Sequence, residues 1–202
     1  MEIYDGATIT KGTAGNEGGN LRNGSKNVFN IYGGTFSDGK AKSGGNLMLF
    51  GPLNMYGGTI KGGTATNFGG NICTWGSPVI TLAQNSASTT VPNINNGTAK
   101  TGADIVLRGT APKLVVSYGK AGYVTGLQGS VEVSGTAVIP KLILSGITVT
   151  AGELTEGAAI YVTMSTPGTF LTDCADLTAF FKAFDSAYEV IYDGANLALQ
   201  AK

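Results

Sequence analysis

Apolar and polar residues alternate in short stretches over most of the chain, and glycine-rich steps separate these stretches. In VFNIYGGTF, the apolar Phe29 and Ile31 alternate with polar neighbours, and Leu53 and Met55 do the same in PLNMYGGTI. A period of two is typical of a strand with one buried face. Because Gly-Gly, Asn-Gly and Asp-Gly steps follow each stretch, the pattern predicts many short strands joined by tight turns.

The turn signals recur with a period of about 25 residues. Gly-Gly-Asn ends at Asn20, Asn46 and Asn71, and the related Gly-Ala-Asp brings Asp104 into the same column after a longer step. This period favours a parallel β-helix, in which each repeat is one coil and equivalent residues stack about 4.8 Å apart. We therefore predict a ladder of side chains through these four residues. An antiparallel sandwich or barrel also has short strands and glycine turns, but rarely repeats one turn column three times.

The pattern changes towards the C-terminus. Apolar residues at helical spacing, from Leu177 to Tyr188, predict a short helix near residues 175–185. The stretch 188–200 reads as a β-hairpin around Asp193-Gly194. We expect parallel β-helix repeats over residues 1–165 and a small helix-plus-hairpin cap over 166–202, since repeat arrays need an atypical unit to cover their open end.

The N-terminal coil has no comparable cover in the sequence. The opening stretch MEIYDGATIT resembles the middle of a repeat and contains no export signal. We therefore expect the natural protein to extend upstream of Met1, or the uncapped coil to make an end-to-end contact with a partner.

Composition argues against several classes of function. Lys and Arg together number 13, as do Asp and Glu, so no net charge attracts nucleic acid or an anionic membrane. No apolar run approaches the roughly 20 residues of a membrane-spanning helix. We expect no nucleic acid partner and no membrane insertion.

No catalytic constellation is found in the sequence. The chain contains no histidine, and its two cysteines, Cys73 and Cys174, lack the spacing of a metal site, so we expect free thiols. Glycoside hydrolysis usually needs two carboxylates about 5–10 Å apart. Asp5, Glu17 and Asp38 fall in different columns, so no two carboxylates are expected to meet. We predict no catalytic residue, no metal and no cofactor.

Two sets of outward side chains are candidates for ligand binding. Tyr4, Tyr32 and Tyr56 follow inward residues and should stack on one face. A second column set predicts an outward apolar patch made of Met48, Phe50, Cys73 and Trp75. Such aromatics on a flat face could stack on sugar rings. The alternatives are that the tyrosines only stabilise adjacent coils and that a loop or the cap covers the patch.

The repeats also carry a family resemblance. Two stretches resemble repeats of pectate-lyase-like right-handed parallel β-helix proteins, namely MYGGTIKGGTATNFGGNI and IYGGTFSDGKAKSGGNL. More narrowly, they look like repeats of large adhesin-like surface proteins of Gram-positive gut bacteria. Two later stretches resemble the segment that closes such arrays, namely ITVTAGELTEGAAIYVTMSTPGTF and FFKAFDSAYEVIYDGANLAL. The resemblance implies a right-handed solenoid in a secreted or cell-wall-associated protein.

Together these observations predict a non-enzymatic surface module. It would serve as an adhesin-like stalk or interaction surface, with a glycan or a host or cell-surface protein as its partner. The alternative is a carbohydrate-active enzyme, a polysaccharide lyase or hydrolase, whose catalytic coils lie partly outside this chain, because this superfamily contains both enzymes and passive stalks.

Overall fold

The chain folds entirely into β-structure where its residues are described. A computed structural model describes residues 1–24, 27–83, 90, 92–118, 129–133, 142–144, 147–151, 159–164, 166–172 and 174–202. These residues contain 23 strands and no helix. The predicted all-β class is therefore confirmed. Residues 152–158 and 165, within the stretch said to resemble the end of adhesin arrays, lie outside the described residues.

Two large sheets and one smaller sheet carry most of the strands. The first sheet is parallel throughout and orders β1 (Glu2–Ile3), β4 (Phe29–Ile31), β8 (Leu53–Met55), β12 (Val79–Leu82), β15 (Lys113–Tyr118), β19 (Ala159–Met164) and β21 (Phe181–Ala183). The second, also parallel, orders β2 (Thr8–Thr10), β5 (Thr35–Ser37), β9 (Thr59–Lys61) and β13 (Asn93–Asn95).

The third sheet is parallel except at one edge. It orders β3 (Leu21–Asn23), β7 (Leu47–Leu49), β11 (Ile72–Thr74), β14 (Ile105–Leu107), β16 (Gly129–Val133) and β18 (Ile147–Ala151), with β17 (Leu142–Leu144) antiparallel to β18. A parallel pair joins β6 (Lys40–Ser43) to β10 (Thr64–Phe68). The last strands, β20 (Thr169–Leu171), β22 (Tyr188–Tyr192) and β23 (Leu197–Ala201), pair antiparallel.

From β1 to β15 the chain enters the first three sheets in the same order on successive passes. In the third sheet, Leu47 pairs with both Leu21 and Ile72, and Ile72 pairs in turn with Ile105. Residues in one sequence column are thus neighbours in space, with parallel strands. This arrangement is consistent with a β-helix-like fold.

The core lies between the sheets and follows from the alternation along each strand. In β4 and β8 the first and last residues are buried and the middle residue is half-buried, and in β12 buried Ile80 and Leu82 alternate with half-buried Val79 and Thr81. The buried side chains form one apolar cluster that extends to Leu197 and Leu199 in β23. Burying one such side chain contributes roughly 1.5–3 kcal/mol, so the stack of short strands is stabilised mainly by this interior.

Glycine is required at the turn before β7, and the turns before β3, β11 and β14 in the same sheet also carry a glycine with positive φ. Gly44 has a φ of 62°, a left-handed conformation that side chains rarely adopt. A Cβ on Gly45 would collide with the backbone carbonyl oxygen of Gly70 in the next pass. The Gly-Gly step therefore permits both the sharp turn and the close approach of successive passes.

The helix predicted near residues 175–185 is wrong. Phe181–Ala183 instead form strand β21, which pairs in parallel with β19. The N–H of Ile160 donates to the Phe180 carbonyl at 2.9 Å, and the N–H of Phe184 donates to Val162 at 3.0 Å. Extending an existing sheet satisfies these backbone groups. Of the apolar residues whose spacing suggested a helix, Phe180 and Phe181 are buried, whereas Phe184 is 56% exposed. The stretch predicted as a hairpin, 188–200, is occupied by the β22–β23 pair.

Candidate functional site

The predicted ladder residues meet in a buried hydrogen-bonded row. Asn20 Nδ2 donates to Asn46 Oδ1 at 2.7 Å, and Asn46 Nδ2 donates to Asn71 Oδ1 at 2.7 Å. Asn71 Nδ2 then donates to Asp104 Oδ1 at 2.6 Å. Each Oδ1 also accepts a backbone N–H from a glycine, in order Gly12, Gly39, Gly63 and Gly97. Because a backbone N–H can only donate, these bonds fix which way each amide points.

Asp104 is the last member of the row among the described residues, and its chemistry suits that place. An asparagine side chain both donates and accepts, whereas a carboxylate accepts. One N–H of each amide is donated to the next side chain towards the C-terminus, so Asp104 needs to supply only an acceptor to Asn71. Asp104 provides that acceptor while it is itself buried.

The three tyrosines form a stack. The ring centroids of Tyr4 and Tyr32 lie 5.1 Å apart at 11°, and those of Tyr32 and Tyr56 lie 5.3 Å apart at 23°. The ring faces are therefore turned towards one another, which favours stabilisation of adjacent strands over a platform for sugar rings. Tyr4 is 54% exposed, and its hydroxyl donates to Glu2 Oε2 at 2.8 Å, which holds the pKa of Tyr4 above its ordinary value.

A second, shorter amide ladder lies beside the tyrosines. Asn54 Nδ2 donates to Asn30 Oδ1 at 2.9 Å on the outer face of the first sheet. Sequence reasoning missed this pair, although the signal was present: an Asn occupies the same strand position in FNIY and LNMY. It adds a direct hydrogen bond between successive passes on the outside of the core.

The predicted outward apolar patch is only partly accessible. Met48 is 3% exposed and Cys73 is 1% exposed, whereas Phe50 is half-buried and Trp75 is 49% exposed. The expectation that Met48 offers a binding surface is therefore wrong, because its side chain is almost entirely buried. The accessible part of the patch is centred on Trp75.

An arginine of one pass contacts two aromatic residues of the preceding pass at this place. The guanidinium carbon of Arg108 lies 3.6 Å from the ring centroid of Phe68 and 5.2 Å from that of Trp75. Trp75 follows β11 and Arg108 follows β14, so in-register pairing of these strands brings them together. A cleft of about 260 Å³ opens here, lined by Trp75, Arg108, Gly109 and Thr110. We refer to it as the Trp75–Arg108 cleft.

The repeat spacing places Arg108 in the column of Phe50 and Trp75, but Arg108 was not among the predicted site residues. The missed signal is Phe68, which occupies the position before Gly-Gly where earlier repeats have Glu17 and Ser43. The exchange provides Arg108 with an aromatic face instead of a carboxylate.

A related cluster nearby contains a carboxylate. The guanidinium of Arg22 lies 4.2 Å from the Phe50 ring centroid, and Arg22 Nε is 3.0 Å from Glu17 Oε2. Among the side chains that the structure describes, no carboxylate lies within salt-bridge distance of Arg108. The two aromatic–arginine clusters therefore differ in whether a described side chain supplies the anion.

Cys73 lies beneath this surface as an unreactive thiol. Burial raises the pKa of Cys73 to about 12, and the positive charge of Arg108 opposes that shift only in part. The thiol therefore remains protonated near neutral pH. Cys174 is also buried, and no disulfide joins it to Cys73.

The described residues contain no group of three or more His, Cys, Asp or Glu suited to hold a metal ion. Within the same part of the chain, no helix has the length and hydropathy needed to span a bilayer. Comparison with known proteins assigns no class: no family model, curated protein or solved structure matches this chain.

Proposed function

We propose that this chain is a right-handed parallel β-helix solenoid that serves as a non-enzymatic binding module of an adhesin-like bacterial surface protein. The solenoid is supported by the repeated order of the sheets and by parallel in-register pairing of equivalent columns. Extracellular placement is supported by the resemblance of the glycine repeats to adhesin repeats.

The Trp75–Arg108 cleft is the observation that carries the binding function. Trp75 is a large aromatic side chain left half in solvent, while apolar residues on the same sheet, Met48 and Cys73, are buried. Exposed aromatics beside a cation are enriched at binding surfaces because they offer contact area with little conformational entropy to lose. Short strands paired on both sides hold the cleft rigidly, which lowers the cost of ordering it on binding.

The mechanism we propose is geometric. The stacked coils display side chains in fixed columns, and the ligand contacts a surface that exists before binding. No bond is made or broken. A glycan is the ligand class favoured by an exposed indole ring beside hydrogen-bonding groups, and the same rigid coil spaces this site from the cell.

A glycan array combined with a hydrolysis assay tests the proposal. We expect the purified chain to bind glycans without releasing reducing ends from polysaccharides. Trp75→Ala should weaken binding about tenfold or more, since aromatic anchors often contribute about 2 kcal/mol or more. Phe184→Ala, which removes another exposed aromatic, is the matched control and should leave binding unchanged.

Release of product that disappears when a single carboxylate is replaced would instead favour the polysaccharide lyase or hydrolase alternative. Binding that survives Trp75→Ala but is lost in Phe184→Ala would place the ligand elsewhere and contradict the role of the cleft.

A further inference from the structure

We propose that the Trp75–Arg108 cleft binds the carboxylate of an acidic sugar, with the guanidinium as the anion receptor and the indole as the platform for the sugar ring. This inference rests on the proposed binding function and names the ligand class of that site.

The guanidinium of Arg108 carries in-plane N–H donors beside an aromatic face. Its guanidinium lies on the Phe68 ring at 3.6 Å, so one face is occupied. The N–H groups of a guanidinium point outward in its own plane, where a carboxylate can accept two parallel hydrogen bonds. Stacking on Phe68 restrains the plane without using these donors.

The Arg22 cluster shows how the same chain completes such an arrangement. The chain already builds a complete cluster of this kind, in which Arg22 lies over Phe50 and donates from Nε to Glu17 at 3.0 Å. At Arg108 the aromatic partners are present, but no described side chain supplies the carboxylate. The ligand would supply the anion that Glu17 supplies to Arg22.

The size of the cleft and its exposed indole favour an anion that is attached to a sugar ring. The cleft, about 260 Å³, is slightly smaller than the roughly 300–1,000 Å³ of pockets for larger ligands, so it suits a single ring. Trp75 presents an exposed indole on which the apolar C–H face of a sugar ring can pack. A sugar with a carboxylate fixed to its ring can contact Trp75 and Arg108 at once. It loses less rotamer freedom on binding than the flexible acidic side chain of a peptide would lose.

Fluorescence titration of the full chain tests this assignment, because Trp75 is the single tryptophan. The probes are 3′-sialyllactose, an oligosaccharide of glucuronic acid, and lactose as the neutral counterpart. We expect one or both acidic probes to change the emission of Trp75 at concentrations at least about tenfold lower than the lactose concentration that gives the same change. Response to sialyllactose alone assigns a terminal sialic acid, and response to the uronic acid probe alone assigns a polysaccharide unit.

Variants separate the charge from the surface. Arg108→Gln should weaken acidic-sugar binding about 10- to 100-fold, as expected for loss of a hydrogen-bonded charge pair. Arg108→Lys, which keeps the charge but loses the planar fork, should fall between. Arg22→Gln removes the same charge from the already paired cluster and should bind like the unmodified chain.

Glu132 provides a further control, since it pairs with Val106 in the register between β14 and β16 and thus belongs to the strand next to Arg108. If the ligand supplies the anion, Glu132→Gln should leave binding unchanged or strengthen it. Loss of acidic-sugar binding in this variant would overturn the proposal.

The failures are distinguishable. Equal binding of lactose and the acidic probes in the titration, unaffected by Arg108→Gln, together with loss of glycan-array binding in Trp75→Ala, would overturn the ligand class and leave the glycan-binding function standing. No response to any probe, together with no hit among other glycans, would overturn both.

Discussion

At the residue scale, Asn71 shows how a polar side chain is kept in the interior. Its Nδ2 donates to the Asn95 carbonyl at 2.8 Å and to Asp104, and its Oδ1 accepts from the N–H of Gly63 and from Asn46. The side chain is fully buried, and its two donors and two acceptor positions are all used. Such a satisfied network specifies one arrangement of the neighbouring turns.

Replacing Asn71 by Ala should lower the free energy of unfolding by about 2–4 kcal/mol, because several buried partners lose their hydrogen bonds at once. Urea denaturation followed by circular dichroism measures the loss. Asn20→Ala, at the half-buried start of the ladder, is the control and should cost less. Equal losses in the two variants would mean that burial of the ladder contributes little.

The ladder was predictable and the cleft was not, for a physical reason that lies in single residues. Asn20, Asn46 and Asn71 recur at one turn, so a stacking hypothesis places them together directly. Arg108 lies next to Phe68 only because side chains reach across from different columns. The length and direction of that reach are not visible in column spacing, and neither was the burial of Met48.

At the scale of elements, the alternation of apolar residues predicted the short strands, but local spacing misled at the C-terminus. Residues 177–188 have apolar positions that also suit a helix. What decides the outcome is the open edge of β19, which offers backbone hydrogen bonds to Phe181–Ala183. An edge formed by residues distant in sequence cannot be inferred from the local pattern, and Asp176, whose Oδ1 accepts from Thr178 N–H at 3.0 Å, stabilises a turn there instead.

The last hairpin is expected to depend on its inward residues. Leu197 in β23 is fully buried and joins the main apolar cluster. Leu197→Ala should therefore lower the free energy of unfolding by about 2–5 kcal/mol, the usual range for such a truncation. Thermal and urea denaturation measure this effect.

Gln200→Ala in the same strand removes an exposed side chain and is expected to change stability by less than about 0.5 kcal/mol. A similar effect of the two substitutions would contradict the packing of this strand against the core.

At the scale of the whole molecule, each pass contacts mainly its two neighbours. Strands β7 and β8 pair on both sides, whereas β1, β2 and β3 each pair with one strand among the described residues. Arrays of this kind lose structure from their ends, because end units lack one stabilising interface.

Native-state amide hydrogen exchange should therefore show a gradient along the chain. We expect amides in β1–β3 to exchange at least about tenfold faster than those in β7, β8 and β11, which lie between two partners. Leu47 and Tyr56, whose N–H groups donate at 2.8 and 2.7 Å, are suitable reporters of the protected passes. Uniform protection from β1 to β11 would instead indicate a single all-or-none unit.

The one-way direction of the ladder has a consequence for how such a chain can change in length. A duplicated copy of residues 39–62 carries its own Asn46, which accepts from the amide before it and donates to the amide after it. Insertion of such a copy on the N-terminal side of Asp104 would leave each side-chain N–H of the ladder with an acceptor. An Asn inserted directly after Asp104 would instead follow a carboxylate acceptor rather than an amide donor, so the ladder favours duplication of whole units on the N-terminal side of that aspartate.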